Sequence, residues 1–169
     1  MKYFKRILAP TDLSPESLST VTYAGHMART QGAKLTICFV PPTGAMTYSH
    51  IMPPADMIAM DAQARQAAQE RLDGWIRKHL RSLPGVTVEL GEGVPEEEIC
   101  RIAEDVGASV IIMATHGRKG FSHAMLGSVT ERVIRNAPCP VLVIRPPKAA
   151  VAKRSAKKSV RKKAKRSRS

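Results

Sequence analysis

Five short apolar runs, YFKRILA (3–9), KLTICFV (34–40), VTVEL (86–90), SVIIMA (109–114) and VLVIR (141–145), punctuate the chain. Rich in β-branched and large apolar side chains, they read as strands, apolar enough to be covered on both faces. After the first run, Ser14-Pro15 places a capping residue before a proline at the first helical position, so a helix should run to about Gln31 and stop at Gly32. Leu18, Val21, Gly25 and Ala28 give that helix its buried face. A longer helix is predicted over 56–83, where Ala68, Leu72, Trp75, Ile76 and Leu80 recur at helical spacing, the mark of a core face rather than a cofactor box. A third opens at Pro95, carries three glutamates in its first turn and stops at Gly107, and a fourth is expected over 128–137.

Strict alternation of apolar strands and amphipathic helices implies a five-stranded parallel sheet with helices on both faces. Right-handed crossovers make it a doubly wound α/β fold of Rossmann-like type, whose ligands sit at the carboxyl ends of the strands near the topological switch point. The loops after the first, second and fourth strands are therefore where chemistry is expected. Residues 41–55 hold four prolines and no charge and read as a long loop; Met46, Met52, Met57 and Met60 fit a loop-helix contact, because methionine fills irregular gaps.

Charge changes the picture at one end only. Of 27 Lys and Arg residues, eleven lie in 148–169, which has no acid, leaving sixteen against fourteen acidic residues in the rest. The formal charge of +13 is thus mostly the tail's. A domain over 1–147 and a Lys/Arg-rich tail over 148–169 are expected, the tail too poor in large apolar residues to order itself. The tail resembles the lysine-alanine tails of bacterial histone-like proteins. Its density of cations suits salt-dependent, sequence-independent binding of DNA or RNA, with a merely solubilising role as the alternative.

No run is apolar and long enough to span a bilayer, and the start, MKYFKRILAPTD, meets proline and aspartate before a signal-peptide core can form, so a cytoplasmic protein without membrane contact is expected. Cys38, Cys100 and Cys139 are widely spaced among apolar neighbours and read as reduced packing residues. The three glutamates after Pro95 read as charges complementing a helix dipole on a solvated face.

The stretch ATHGRKGFSHAMLGSVTE (114–131) joins the fourth strand to the last helix. Gly117 and Gly120 permit positive φ in its loop, and Gly127 lets a phosphate approach backbone N–H groups at a helix start. Ser128 and Thr130 can donate hydroxyl hydrogen bonds to phosphate oxygens, and Arg118 and Lys119 add positive charge. The alternative for Ser128 is a capping box, its oxygen taking the third amide while Glu131 reaches back. There is no GxxxxGK[ST], no GxGxxG after the first strand and no GxSxG, and the five histidines, His116 and His123 included, show no metal-ligand spacing.

Gly117 followed by nine residues and Gly127-Ser128, together with KRILAPTDLS at the start and NAPCPVLVIR at the end, resembles the universal stress protein family over about residues 1–146. Nucleotide-binding members of that family carry Gly-x2-Gly-x9-Gly-[Ser/Thr]; here Ala114 stands in place of the first glycine. The resemblance implies a stress-response regulatory protein, not an enzyme beyond slow hydrolysis, that binds ATP or another adenine nucleotide, with Mg2+ as an optional companion. It implies that Ala9, Pro10, Thr11 and Asp12 lie beside the nucleoside and that the Val40 backbone lines the adenine pocket. Met113, Ala114, His116, Gly117, Arg118, Gly127, Ser128, Val129 and Thr130 complete the implied site. For Asp12 alone, capping of the first helix or turn is the alternative. It further implies a homodimer through antiparallel pairing of the last strand, Val141 to Arg145, an edge that would otherwise invite promiscuous pairing. A nucleic-acid-associated protein working through its tail, with the domain serving only to dimerise, is the other reading.

Overall fold

β-Branched and aliphatic side chains in short continuous runs, with proline and glycine between them, build the expected alternation of strands and helices. The computed structural model describes residues 4–41, 54–80, 85–115 and 126–145. Their elements are β1 (Arg6–Thr11), α1 (Pro15–Gln31), β2 (Lys34–Phe39), α2 (Pro54–His79), β3 (Val86–Leu90), α3 (Pro95–Asp105), β4 (Val110–Ala114), α4 (Ser128–Asn136) and β5 (Val141–Ile144). The five strands form one parallel sheet in the order β3-β2-β1-β4-β5, the doubly wound arrangement.

Alternate side chains sort to the two faces. Ile7, Ala9, Leu35, Ile37, Val110 and Ile112 pack with Val21, Ala24 and Ala28 of α1 and with Trp75 of α2. Leu8, Cys38, Ile111 and Met113 face the other way, onto Ile99, Ile102 and Ala103 of α3 and Val133 of α4. The central strands β1, β2 and β4 are almost wholly buried, while β3 and β5, at the edges, are half-buried along most of their length.

Several boundaries differ from expectation. β1 starts at Arg6 and continues through Pro10 and Thr11, so those two residues belong to the strand and not to the turn after it. Its ladder with β4 comprises only Ile7–Val110 and Leu8–Ile111, although both strands continue toward their carboxyl ends. Pro10 has no N–H to extend a ladder, which accounts for pairing that ends before it. The switch point between β1 and β4 is therefore unzipped where ligands of this fold class bind. The buried face of α1 is Ser17, Thr20, Val21, Ala24, Gly25 and Ala28, and Leu18 is only half-buried, because the hydroxyls find partners inside the turn below. α2 begins at Pro54, ahead of the expected 56, and its described helical turn ends at His79. The core positions Ala68, Leu72, Trp75 and Leu80 are buried as expected.

Candidate functional site

Two turns lie at the carboxyl edge of the sheet, one after β1 and one before α4. After β1, the Leu13 amide donates to Thr11 Oγ1 at 3.0 Å, and the Ser14 amide donates to Asp12 Oδ1 at 3.0 Å. Ser14 then caps α1, its Oγ accepting from the Ser17 amide at 3.1 Å. Thr11 Oγ1 and Ser17 Oγ lie 2.9 Å apart in the interior. Leu13, pinned between these bonds, takes φ +62°, a left-handed conformation unusual for a branched side chain. Asp12 thus does what its alternative reading predicts, organising the turn, while lying half-buried at the end of β1.

The second turn starts at the end of β4. The Thr115 amide donates to Ile144 O at 3.1 Å, and Thr115 O accepts from the Gly127 amide at 2.8 Å. The chain that leaves β4 is thereby closed at its base and delivered to α4. Thr130 Oγ1 donates to Ala114 O at 3.0 Å, clamping the first turn of the helix onto the last residue of β4. Gly127 itself is the N-cap (φ −65°, ψ 145°), so α4 begins without a side-chain cap. The capping box is not formed: Ser128 is the first helical residue, and Glu131 pairs with Arg135 at 3.0 Å along the helix. Nor does the Thr130 proton face outward, since it is directed at the strand.

α1 is capped by the Ser14 side chain, whereas α3 and α4 both start without a side-chain cap, and each carries acid in its first turn. Among the described residues no side chain accepts from the amides of Ser128, Val129 and Thr130, which stand at the positive end of the helix dipole. An acceptor from outside the chain suits them, and a phosphate or carboxylate group is the usual one. The exposed Ser128 hydroxyl stands at the same place.

Of the remaining expected site residues, Val40 follows β2 at the same edge and is buried on the α3 side. Ala9 and Met113 are core residues on opposite faces of the sheet, so any contact they make at the edge is through backbone. His116, Gly117 and Arg118, with Lys119, Gly120 and His123, lie outside the described residues.

Glu96 and Glu98 of α3 correct the expectation of a solvated face, while Glu97 is exposed as expected. Glu96 is 7% exposed and bonded to Arg132 of α4, and Glu98 accepts from Arg101 and, at 3.4 Å, from the Glu92 amide. Burial works against ionisation of Glu96, but the Arg132 guanidinium and a backbone amide outweigh it and hold the carboxyl below its ordinary range. For Glu98 the hydrogen bond from Arg101 does the same against burial. Sequence reasoning missed this cross-helix pair, because partners 36 residues apart leave no local period to read. It also missed Gly91: a Cβ there would stand 2.6 Å from Glu98 Cγ and 2.9 Å from Val40 Cγ2, so a side chain beside the end of β2 would have to displace them.

The cysteines are free thiols. Burial, first of all, pushes the thiols of Cys38, Cys100 and Cys139 up, which suits packing and not nucleophilic chemistry. Among the described residues no group of three or more His, Cys, Asp or Glu could hold a metal ion, and no helix is long and apolar enough to cross a membrane.

The parallel sheet in the order β3-β2-β1-β4-β5, covered by helices on both faces, places the chain in the doubly wound, Rossmann-like α/β class. Residues 3–145 match the universal stress protein family, and the chain belongs to it. It is 33% identical over 150 residues to the universal stress protein MJ0531 of Methanocaldococcus jannaschii, covering 86% of this chain and 84% of that protein. The solved structure of MJ0577 superimposes with a TM-score of 0.71 at 26% identity, covering 87% of this chain and 99% of that one. A universal stress protein solved in complex with cAMP shares the fold at 22% identity, with a TM-score of 0.54 and coverage of 84% and 97%.

Proposed function

We propose that this protein is a stress-response regulatory module that binds ATP or another adenine nucleotide, with the phosphates at the start of α4. The observation that carries the reading is the uncapped first turn of α4 held against the end of β4 by the Thr130–Ala114 and Gly127–Thr115 hydrogen bonds. The Ser128, Val129 and Thr130 amides supply donors, Gly127 keeps a side chain out of the approach, and the Ser128 hydroxyl adds a further donor. Thr11 and Asp12 border the nucleoside side, and Val40 borders the base. Gly117 and Arg118, from the segment between, complete the phosphate cradle, with His116 beside them. A universal stress protein of the same fold has been solved with cAMP, which supports an adenine nucleotide as the ligand class.

In this reading the module acts by binding and not by turnover, as the family resemblance implies. It works in the cytoplasm as a homodimer through β5, whose half-buried edge gains from a partner strand. A second reading, binding of DNA or RNA by the tail, is favoured by the eleven cations and absent acids of 148–169.

The test is to identify by mass spectrometry the nucleotide that copurifies, and then to measure its affinity calorimetrically for wild type and Gly127→Val. Gly127 has an extended backbone that valine adopts readily, so the fold should persist while binding is lost. Equal affinity for the two proteins would overturn the assignment.

A further inference from the structure

The carbonyl of Val40 is an acceptor that the sheet leaves over. β1 and β2 pair in parallel from Arg6–Lys34 to Thr11–Phe39, and the Lys34 amide donates to Lys5 O at 2.9 Å. Bonds along such a ladder recur at two-residue steps on each strand, so the amide due to reach Val40 O is that of Leu13. The turn after β1 takes it away: Leu13 has φ +62°, and its amide donates to Thr11 Oγ1 at 3.0 Å. β3, on the other side, uses the preceding carbonyl, since Phe39 O accepts from the Gly91 amide at 2.9 Å. Pro41 keeps Val40 extended and has no N–H of its own. Val40 O is therefore directed toward the β1 side of β2, past the last rung of the ladder.

What fixes that carbonyl lies on the β3 side. Gly91 brings bare backbone between Val40 and Glu98, where a Cβ would meet Glu98 Cγ at 2.6 Å and Val40 Cγ2 at 2.9 Å. Glu98 is the firmer of the two neighbours. Arg101 grips its two oxygens at 2.6 and 2.8 Å, and the Glu92 amide donates to it at 3.4 Å. Val40 is held by apolar packing on the α3 side alone, so a side chain at position 91 shifts Val40 before it shifts Glu98.

Resting on the nucleotide reading above, we infer that Gly91 is a positioning residue for base selectivity, which lets the Arg101-held Glu98 set the end of β2 where Val40 O accepts from the 6-amino group of a purine and rejects a 6-oxo group. A 6-oxo group facing that carbonyl brings two acceptors together with no proton between them. The 6-oxo purine does carry a proton on N1, one ring atom away. Discrimination therefore requires a carbonyl that stays in place, because a displaced one can take the N1 proton instead.

The experiment is calorimetry on the full chain with ATP and with inosine triphosphate, which differ only at the C6 and N1 edge of the base. The wild type should prefer ATP by about tenfold or more, the worth of a hydrogen bond whose loss leaves an acceptor unpaired. Gly91→Ala should weaken ATP while sparing inosine triphosphate, so that the ratio falls toward one. Arg101→Gln lies on the exposed side of α3 and keeps the fold while freeing Glu98, so the ratio should narrow by about two- to threefold even if Gly91→Ala fails to fold. A structural fault alone would weaken both nucleotides by one factor. That outcome, an unchanged ratio in either folded variant, or a wild type indifferent to the base would overturn the inference and leave the nucleotide site standing. If the wild type binds neither nucleotide, or Gly127→Val binds ATP as the wild type does, the site reading itself fails, and the role of Gly91 with it.

Discussion

Thr130 Oγ1 lies 3.0 Å from the carbonyl oxygen of Ala114, sixteen residues earlier, so one hydroxyl fixes the start of α4 to the end of β4. The two ends of the segment 115–127 meet at this clamp, and the direction of the candidate phosphate donors depends on it. Thr130→Val keeps the shape and removes the donor, leaving the Ala114 carbonyl without this partner. The expected cost is about 1–2 kcal/mol, together with weaker nucleotide binding, and Thr130→Ser should restore most of both. Thermal unfolding and calorimetry on the pair check this; unchanged stability in the valine variant counts against the clamp.

The Glu96–Arg132 pair makes the protein sensitive to acid. With its folded value below the ordinary carboxylate range, Glu96 contributes a stabilisation that is complete above that range and lost as pH falls through the folded value. Glu96→Gln should therefore unfold at lower temperature than wild type at about pH 7, and the gap should close toward about pH 3. Melting curves of both proteins across that interval decide the matter, and a gap independent of pH would mean that packing, not charge, holds the two helices.

Gly91 and Gly85 separate crowding from backbone strain. Gly91→Ala forces Val40 and Glu98 apart, so it should destabilise by about 1–3 kcal/mol and weaken nucleotide binding through the displaced end of β2. Gly85 has φ +77° and nothing within 4 Å of a new Cβ, so Gly85→Ala should cost about 1 kcal/mol from conformation alone and leave ligand binding untouched. Stability and affinity measured side by side test the distinction, which fails if both variants bind nucleotide equally well.

Cys38 is fully buried with its thiol pushed up, so it should resist a maleimide in the folded protein and react on unfolding. A variant with all three cysteines changed to alanine should melt lower, because it leaves a small cavity at Cys38, yet bind nucleotide as before. Loss of binding in a folded variant would assign the thiols a role they lack here.

The sheet and its helices were legible in the chain itself. Apolar runs such as KLTICFV and SVIIMA are too short for core helices and too continuous for one-sided strands, and Pro15, Gly32, Pro95 and Gly107 mark where helices start and stop, so local chemistry alone prescribes the alternation. The Gly-x9-Gly-Ser spacing likewise pointed to a ligand at the start of the last helix. Which partner each polar group takes was a different matter, because hydrogen bonds between residues distant in sequence have no periodicity to read. Ser128-Val129-Thr130-Glu131 spells a capping box, but the amide of Gly127 is drawn to Thr115 and the hydroxyl of Thr130 to Ala114, which shifts the cap by one residue. The first-turn glutamates of α3 suit a solvated helix end by sequence, and only the packing of α3 on α4 buries Glu96 and aims Arg132 at it. Propensity and pattern act through neighbours along the chain and settle the elements; the destination of each donor and acceptor is settled by which elements the sheet brings side by side.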